Sequence, residues 1–167
     1  NEWAFRAPPP IAREQLRALG LDVVSLANNH ALDYGPVALE DTRVVLGREG
    51  VRCAGAGADA ESAWRPVVAE RDGLRVGFIC CVGSETLPDA PFLEEFEARA
   101  GHPGMAVLRT EGVRLAEACR ELTRRVRALR WQVDLLIVSI HWGREATGTP
   151  TAIQRELAQA AAAGGAD

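Results

Sequence analysis

The sequence contains no lysine, and all 19 of its basic residues are arginine. Lysine chemistry such as Schiff-base formation is therefore excluded, and so is a nucleotide-binding P-loop, which requires a lysine. No apolar run reaches about 18 residues, the length that spans a bilayer. The net charge of −4 gives no reason to expect a nucleic-acid partner. With 167 residues, of which 47% are hydrophobic, the chain is long enough for one domain with a core.

Cysteine is scarce, and none of the four cysteines has the CxxC spacing of a structural zinc site. Cys80 and Cys81 are adjacent inside an apolar run. Because successive side chains of a strand face opposite ways, we predict that both are small core residues on opposite faces of a sheet.

Helical and strand patterns alternate along the chain, which predicts the α/β class with a mostly parallel sheet. Helices are predicted over residues 11–19, 36–47, 115–129 and 151–164, and strands over 22–27, 51–54 and 133–140. Asp72 and Gly73 lie between two apolar runs, 65–70 and 74–82, and predict an antiparallel hairpin. The proline-rich and acidic stretch 83–104 is predicted to run over the surface.

Polar side chains follow two of the predicted strands. Asn28, Asn29 and His30 come after the strand 22–27, and His141 and Trp142 come after the strand 133–140. Ligands bind beyond the carboxyl ends of strands in open α/β sheets. If the two strands are close in the sheet, both imidazoles lie on one rim, where they can bind a metal or carry a proton.

Oxygen donors accompany the two histidines. The side-chain carbonyl of Asn29 is a hard ligand that suits a divalent ion. Asp33 follows His30 by three residues and Glu145 follows His141 by four, so either carboxylate can orient an imidazole. The pattern predicts a metal or catalytic site at this rim.

Each of these residues also has a structural interpretation. Asn28 and Asn29 suit tight turns, and Asp33 suits the N-cap of the helix that follows. Glu145 suits a solvated position, and Trp142 fits either the site rim or a gap between loop and helix. These alternatives stay open at the level of the sequence.

Two motifs resemble those of the CapA-type capsule-synthesis proteins, also called poly-γ-glutamate synthesis proteins, which have the calcineurin-like metallophosphatase fold. AlaAsnAsnHis with Asp33 and Gly35 resembles their ANNHxxDxG motif, and SerIleHisTrpGlyArgGlu resembles their HWGxE motif. The stretch 2–10 resembles the segment before their first helix. The resemblance covers residues 1–167 and implies a single partial domain, a layered α/β sandwich of the metallophosphoesterase type with an antiparallel hairpin.

The resemblance also implies roles for the site residues. Asn29 and His141 are expected to bind metal, His30 to donate a proton with Asp33 beside it, and Asn28, Trp142 and Glu145 to support them. Two divalent ions of the Mn, Fe, Zn or Mg class are expected to activate water and neutralise phosphate oxygens while His30 protonates the leaving alkoxide.

Two functions follow from the resemblance. The first is a metal-dependent hydrolase of capsule or poly-γ-glutamate biosynthesis, and the alternative is a non-catalytic accessory subunit of a membrane-bound capsule assembly or export complex. A third interpretation is an unrelated α/β protein in which AsnAsnHis only forms a turn.

The expected substrate is a small molecule or polymer, and the expected partners are capsule-synthesis membrane proteins. A membrane-associated or extracytoplasmic location is implied, with a cytoplasmic one left open. The family's acidic ligands and its late His-rich motif are expected to lie outside residues 1–167. The chain alone is therefore expected to hold only part of the metal site and to be inactive.

Overall fold

The computed structural model describes residues 4–87, 93–143 and 146–167. The helices are α1 (Pro9–Leu19), α2 (Gly35–Arg48), α3 (Ala60–Ala63), α4 (Leu93–Phe96), α5 (Arg114–Arg130) and α6 (Ala152–Gly164). The strands are β1 (Val23–Ser25), β2 (Arg52–Ala54), β3 (Ala56–Gly57), β4 (Val67–Arg71), β5 (Leu74–Gly83), β6 (Gly104–Met105), β7 (Val107–Leu108) and β8 (Leu135–His141). Within the described residues, none of these helices has the length and apolar character needed to cross a bilayer.

The strands form a mixed sheet centred on β5. Strand β5 pairs in parallel with β8 on one side, and on the other side it pairs antiparallel with β4 and in parallel with β7. Strand β1 pairs in parallel with β2. Ala106 connects the two parts, because its N–H donates to the carbonyl of Gly55 after β2 and its carbonyl accepts from the N–H of Val82 in β5. Strands β1 and β8 therefore lie at opposite ends of the ladder.

The direction of β2 relative to β5 follows from the contacts of its first residue and of the residue after its end. Arg52 at its start donates to the carbonyl of Val68, which pairs with Gly77 in the first half of β5. Gly55, just after the end of β2, accepts the N–H of Ala106, and Ala106 lies beside Val82 near the end of β5. Strands β1 and β2 thus run in the same direction as β5 and β8, and their carboxyl ends share one rim.

Several local signals in the sequence are confirmed. Gly20 ends α1 with a φ of 60° and donates its N–H to the carbonyl of Leu16. Asp72 and Gly73 form the turn between β4 and β5 with φ values of 53° and 80°, the left-handed region that a two-residue hairpin requires. Thr151 and the side chain of Gln154 cap α6 reciprocally, as a capping box predicts.

Within the described part of the chain, the core consists of two clusters, and β5 contributes to both. Cys81 packs with residues of α5, α6 and β8, including Leu122, Leu157 and Leu136. Cys80 packs in a second cluster with Leu39 of α2. Both thiols are free and buried, and burial raises the pKa of each. The prediction that these two cysteines are core residues is confirmed.

The predicted surface excursion over 83–104 is wrong in part. Residues Ser84–Thr86 form a 3₁₀ helix, α4 and β6 follow, and Leu87, Leu93 and Ala98 are buried. Proline and acidic residues indicate interruptions of regular structure, but they do not prevent spaced apolar side chains from packing onto the core. Residues 88–92 of this stretch lie outside the described part of the chain.

Candidate functional site

The two predicted polar loops lie on one rim of the sheet but at its opposite ends. His30 follows β1, and His141 is the last residue of β8, where it pairs with Val82. Strand β2, the segment Ala106–Leu108 and β5 lie between β1 and β8. The two strands that lead to His30 and His141 are therefore not neighbours, and the condition that they lie close together in the sheet is not met.

His30 forms a pair with Asp33 in the loop after β1. The Nδ1 atom of His30 lies 3.0 Å from Oδ2 of Asp33. The Asp33 side chain is only 1% exposed, whereas the His30 side chain is 36% exposed. A buried carboxylate beside Nδ1 favours the tautomer that carries its proton there, which leaves Nε2 available for proton transfer.

The sequence allowed Asp33 to cap α2 instead, and the structure does not show that cap. The N-cap position of α2 is Tyr34, which makes no side-chain capping bond. The Asp33 carboxylate instead accepts from the backbone N–H of Phe5, at 2.9 Å, as well as facing His30. Asp33 therefore orients the imidazole rather than beginning the helix.

Asn28 has the turn role that its residue type suggests. Its Oδ1 accepts the backbone N–H of His30 at 2.9 Å, and its carbonyl accepts the N–H of Ala31 at 3.1 Å. This Asx turn brings the chain round so that the His30 side chain faces Asp33. Asn29 lies half-buried within the same turn.

A cavity of about 760 Å³ opens beside His30, between the N-terminal arm, α1, α2 and β1. His30, Asn28 and Asp33 supply polar groups at one side of it. Its other walls are mostly apolar and include Leu16, Leu19, Val24, Leu39, Val45 and Leu46. A mostly apolar cavity with a few convergent polar groups is the usual form of a small-molecule site.

The loop after β8 is built differently. Trp142 packs against the cluster that holds α5 and α6, so it fills the gap between loop and helices. Gly143 has a φ of 88°, and a Cβ there would lie 2.2 Å from Nε2 of Gln154. The turn after His141 therefore requires glycine. Glu145, the supporting residue expected beside His141, lies outside the described residues.

A polar network at the ends of β5 and β7 was not predicted from the sequence. Thr110 donates from Oγ1 to Oε2 of Glu85 at 2.7 Å, and its N–H donates to Oγ of Ser84 at 2.9 Å. Ser84 donates to Oε2 of Glu111 at 2.8 Å, and the N–H of Gly143 donates to Oε1 of Glu85 at 3.3 Å. The network connects three strand ends, including the turn after His141.

Hydrogen bonds in this network favour the ionised form of the Glu111 carboxyl. Burial opposes ionisation of Glu111, but its own backbone N–H, the Ser84 hydroxyl and the nearby Arg114 and Arg109 together outweigh burial, so the pKa of the Glu111 carboxyl is below its usual value. A signal for the network was present in the sequence, because Ser84 and Glu85 directly follow a strand, as Asn28 and His30 do.

Across residues 4–87, 93–143 and 146–167, no three His, Cys, Asp or Glu side chains are grouped so that they could hold a metal ion. Asn29, in the loop after β1, and His141, the last residue of β8, are the two predicted ligands, and they lie at opposite ends of the ladder. The described residues therefore do not complete a metal site by themselves.

Comparison with known proteins gives a consistent assignment along the whole chain. The model of the bacterial capsule synthesis protein family PGA_cap matches residues 1–167. The PGA biosynthesis protein CapA of Bacillus subtilis is 27% identical over 158 residues, which cover 91% of this chain and 36% of that protein. A protein of Mycobacterium tuberculosis named "Probable polyglutamine synthesis accessory protein" is 36% identical over 129 residues, covering 77% of this chain and 32% of that protein. The chain thus spans about a third of the length of these curated relatives.

A solved structure has the same fold. A Staphylococcus aureus protein assigned as a 5′-nucleotidase, crystallised with alpha-ketoglutarate, aligns with a TM-score of 0.52 and 16% identity. The alignment covers 92% of this chain and 28% of that one. At this identity the likeness concerns the fold alone, and it confirms the predicted α/β fold of the metallophosphoesterase type.

Proposed function

Because the chain belongs to the bacterial capsule synthesis protein family PGA_cap, we propose that the full-length protein is a metal-dependent, phosphoesterase-type hydrolase of capsule or poly-γ-glutamate biosynthesis. The observation that supports hydrolysis is the His30–Asp33 pair. A buried carboxylate lies against Nδ1 of a half-exposed imidazole, and that imidazole lines a cavity at the end of a strand. This is the arrangement by which an enzyme orients a histidine for proton transfer.

The pair has a defined chemical task in this proposal. Asp33 holds the Nδ1 proton of His30. When the ring is protonated on both nitrogens, Nε2 carries the proton that it gives to the leaving alkoxide, and the ring returns to the Nδ1–H tautomer. The cavity beside the imidazole has mostly apolar walls, against which the rest of a substrate can pack. Asn28 holds the turn that presents the imidazole.

The metal part of the proposal concerns the full-length protein. The described residues do not complete a metal site, so no reaction step is assigned to a metal. Divalent ions of the Mn, Fe, Zn or Mg class remain a prediction, with Asn29 and His141 among the ligands. Metal analysis of the full-length protein tests it: Asn29→Ala and His141→Ala should each reduce the bound metal, and an unchanged metal content would contradict the assignment.

Hydrolysis is tested with the full-length protein and a generic phosphomonoester such as p-nitrophenyl phosphate. His30→Gln should lower kcat by about 10²- to 10⁴-fold, the usual contribution of a positioned acid or base. Asp33→Asn should give a smaller loss, because it removes the charge that orients the ring. His102→Gln is the matched control, since His102 contacts the carbonyl of Glu95 away from the cavity.

Two results would contradict this proposal. The absence of metal-dependent turnover in the wild type would contradict the hydrolase and favour the non-catalytic accessory subunit. Equal turnover in His30→Gln and His102→Gln would contradict the role of His30 as the proton donor. The polymer or small-molecule substrate and the capsule-synthesis membrane partners stay predictions.

A further inference from the structure

The N-terminal arm crosses the His30 turn and contacts both members of the His30–Asp33 pair. The backbone N–H of Phe5 donates to Oδ2 of Asp33 at 2.9 Å, the same oxygen that faces Nδ1 of His30. The rings of Phe5 and His30 are 4.6 Å apart between centroids and nearly perpendicular, at 83°. One residue, 25 positions before His30, therefore touches the imidazole and its partner at once.

The contact between Phe5 and His30 is not part of the core, because Phe5 is largely exposed. Phe5 is 64% exposed and belongs to neither core cluster. Most of its apolar surface remains in water, so burial does not explain its position. The next residue is held on the same loop, because the Arg6 guanidinium lies 5.8 Å from the centre of the Tyr34 ring. The arm is thus held across the loop at two consecutive residues.

His30 needs such a contact for its orientation. A single hydrogen bond at Nδ1 fixes one atom of the imidazole but leaves the ring free to tilt about its own torsion angle, which is broad for histidine. The half-exposed His30 ring is not enclosed by the core. An edge-to-face contact with Phe5 restricts the plane of the ring, and the Phe5 N–H holds the carboxylate oxygen in place.

We propose that Phe5 is a positioning residue for His30. Its ring sets the plane of the imidazole and its backbone N–H anchors Asp33, so that Nδ1 stays on the carboxylate and Nε2 stays turned to the cavity. The catalytic consequence rests on the proposed function, whereas the placement of the ring does not.

The test uses the full-length protein with Phe5→Leu, which removes the aromatic edge but keeps the backbone N–H and apolar bulk. Phe5→Tyr keeps the ring and is the conservative rescue. Ile11→Ala is the matched control, because Ile11 is an exposed apolar residue of α1 that does not line the cavity. Thermal unfolding of each variant checks that the fold is retained.

The first readout is the tautomer of His30, measured by ¹⁵N NMR of ¹⁵N-histidine-labelled protein at alkaline pH, with signals assigned by His30→Gln. We expect a severalfold rise in the Nε2–H tautomer in Phe5→Leu, and the wild-type pattern in Phe5→Tyr and Ile11→Ala. The second readout is steady-state hydrolysis, in which Phe5→Leu should lower kcat by roughly two- to tenfold and leave KM unchanged.

A wild-type tautomer pattern in Phe5→Leu would overturn the proposal, and so would a Phe5→Tyr variant that behaves as Phe5→Leu does. The two proposals fail separately. If the wild type does not hydrolyse the phosphoester, the hydrolase is contradicted, and the tautomer comparison alone still decides the role of Phe5.

Discussion

Thr110 shows how a single buried hydroxyl can organise part of the rim. Thr110 is 3% exposed, and its Oγ1 lies 2.7 Å from a Glu85 oxygen and 3.0 Å from Oγ of Ser84. Glu85 in turn accepts the N–H of Gly143, so the hydroxyl is connected to the turn after His141. Polar groups buried in this way stabilise a fold only while every partner is present.

Replacing Thr110 by valine tests this connection, because valine has nearly the same shape but no hydroxyl. We expect Thr110→Val to lower the free energy of unfolding by about 1–2 kcal/mol, since a charged acceptor loses its donor. Thr42→Val is the matched control, because Thr42 is exposed and its hydroxyl donates to the carbonyl of Ala38 within α2. Chemical denaturation measures the free energy of unfolding of both variants. Equal losses at the two positions would mean that the hydrogen bonds of Thr110 do not stabilise the fold.

At the same scale, the sequence predicted some site residues and missed others for a physical reason. His30 and Asp33 are three residues apart, so a local motif contains both partners of the contact. Thr110 and Glu85 are 25 residues apart, and Phe5 and Asp33 are 28 apart. Contacts over such separations depend on how the strands assemble, which residue types and spacing do not reveal.

At the scale of elements, the start of β8 is held by two aspartates that accept backbone N–H groups. Asp134 accepts from Arg75 of β5 at 2.8 Å, and Asp167 accepts from Leu136 of β8 at 2.9 Å. The Leu136 N–H, followed by the Arg130 guanidinium, holds the pKa of the Asp167 carboxyl below its usual value. The Arg75 N–H does the same for the pKa of Asp134.

These lowered pKa values predict how stability depends on pH. The folded-state pKa of Asp167 lies below the unfolded value of about 3.9, so its carboxylate stabilises the fold above that pH. The contribution is lost as the pH falls through the folded-state pKa. Asp167→Asn should therefore be less stable than wild type near neutral pH, and the difference should disappear in acid.

Thermal unfolding of the full-length protein across this pH range measures the effect. Asp41→Asn, at an exposed position of α2, is the control for removing one carboxylate. A stability difference between wild type and Asp167→Asn that stays constant into acid would show that the charge of Asp167 is not what stabilises β8.

The elements themselves were largely predictable, but their arrangement in the sheet was not. Apolar runs and a glycine stop signal locate α1, β1 and β8 within a few residues, because those patterns are local. The order of strands depends on Gly55, whose φ of 85° ends β2, and on Ala106, which bonds to both halves of the sheet. Neither residue has a type or spacing that indicates this role.

At the scale of the whole molecule, α1 is the helix that the described core holds least. None of its residues is buried, and Ile11 and Leu19 expose much of their apolar surface. Its attachment to α2 includes an ionic contact. Glu49, just after α2, lies 2.7 Å from Nε of Arg17 and 3.6 Å from Nε of Arg13, and the Glu49 side chain is only 8% exposed.

Removing the charge of Glu49 should loosen α1 without unfolding the sheet. We expect Glu49→Gln to speed amide hydrogen exchange in α1 by about three- to tenfold, because the contacts of the Glu49 carboxylate with Arg13 and Arg17 lose their charge, while α5 and β8 stay protected. Glu61→Gln is the matched control, because Glu61 pairs with Arg65 and both side chains are exposed. Amide hydrogen exchange of α1, measured by mass spectrometry on the full-length protein, distinguishes Glu49→Gln from Glu61→Gln. Equal exchange of α1 in wild type and Glu49→Gln would mean that the apolar contacts along the cavity, and not the ion pair, hold this helix over the His30 loop.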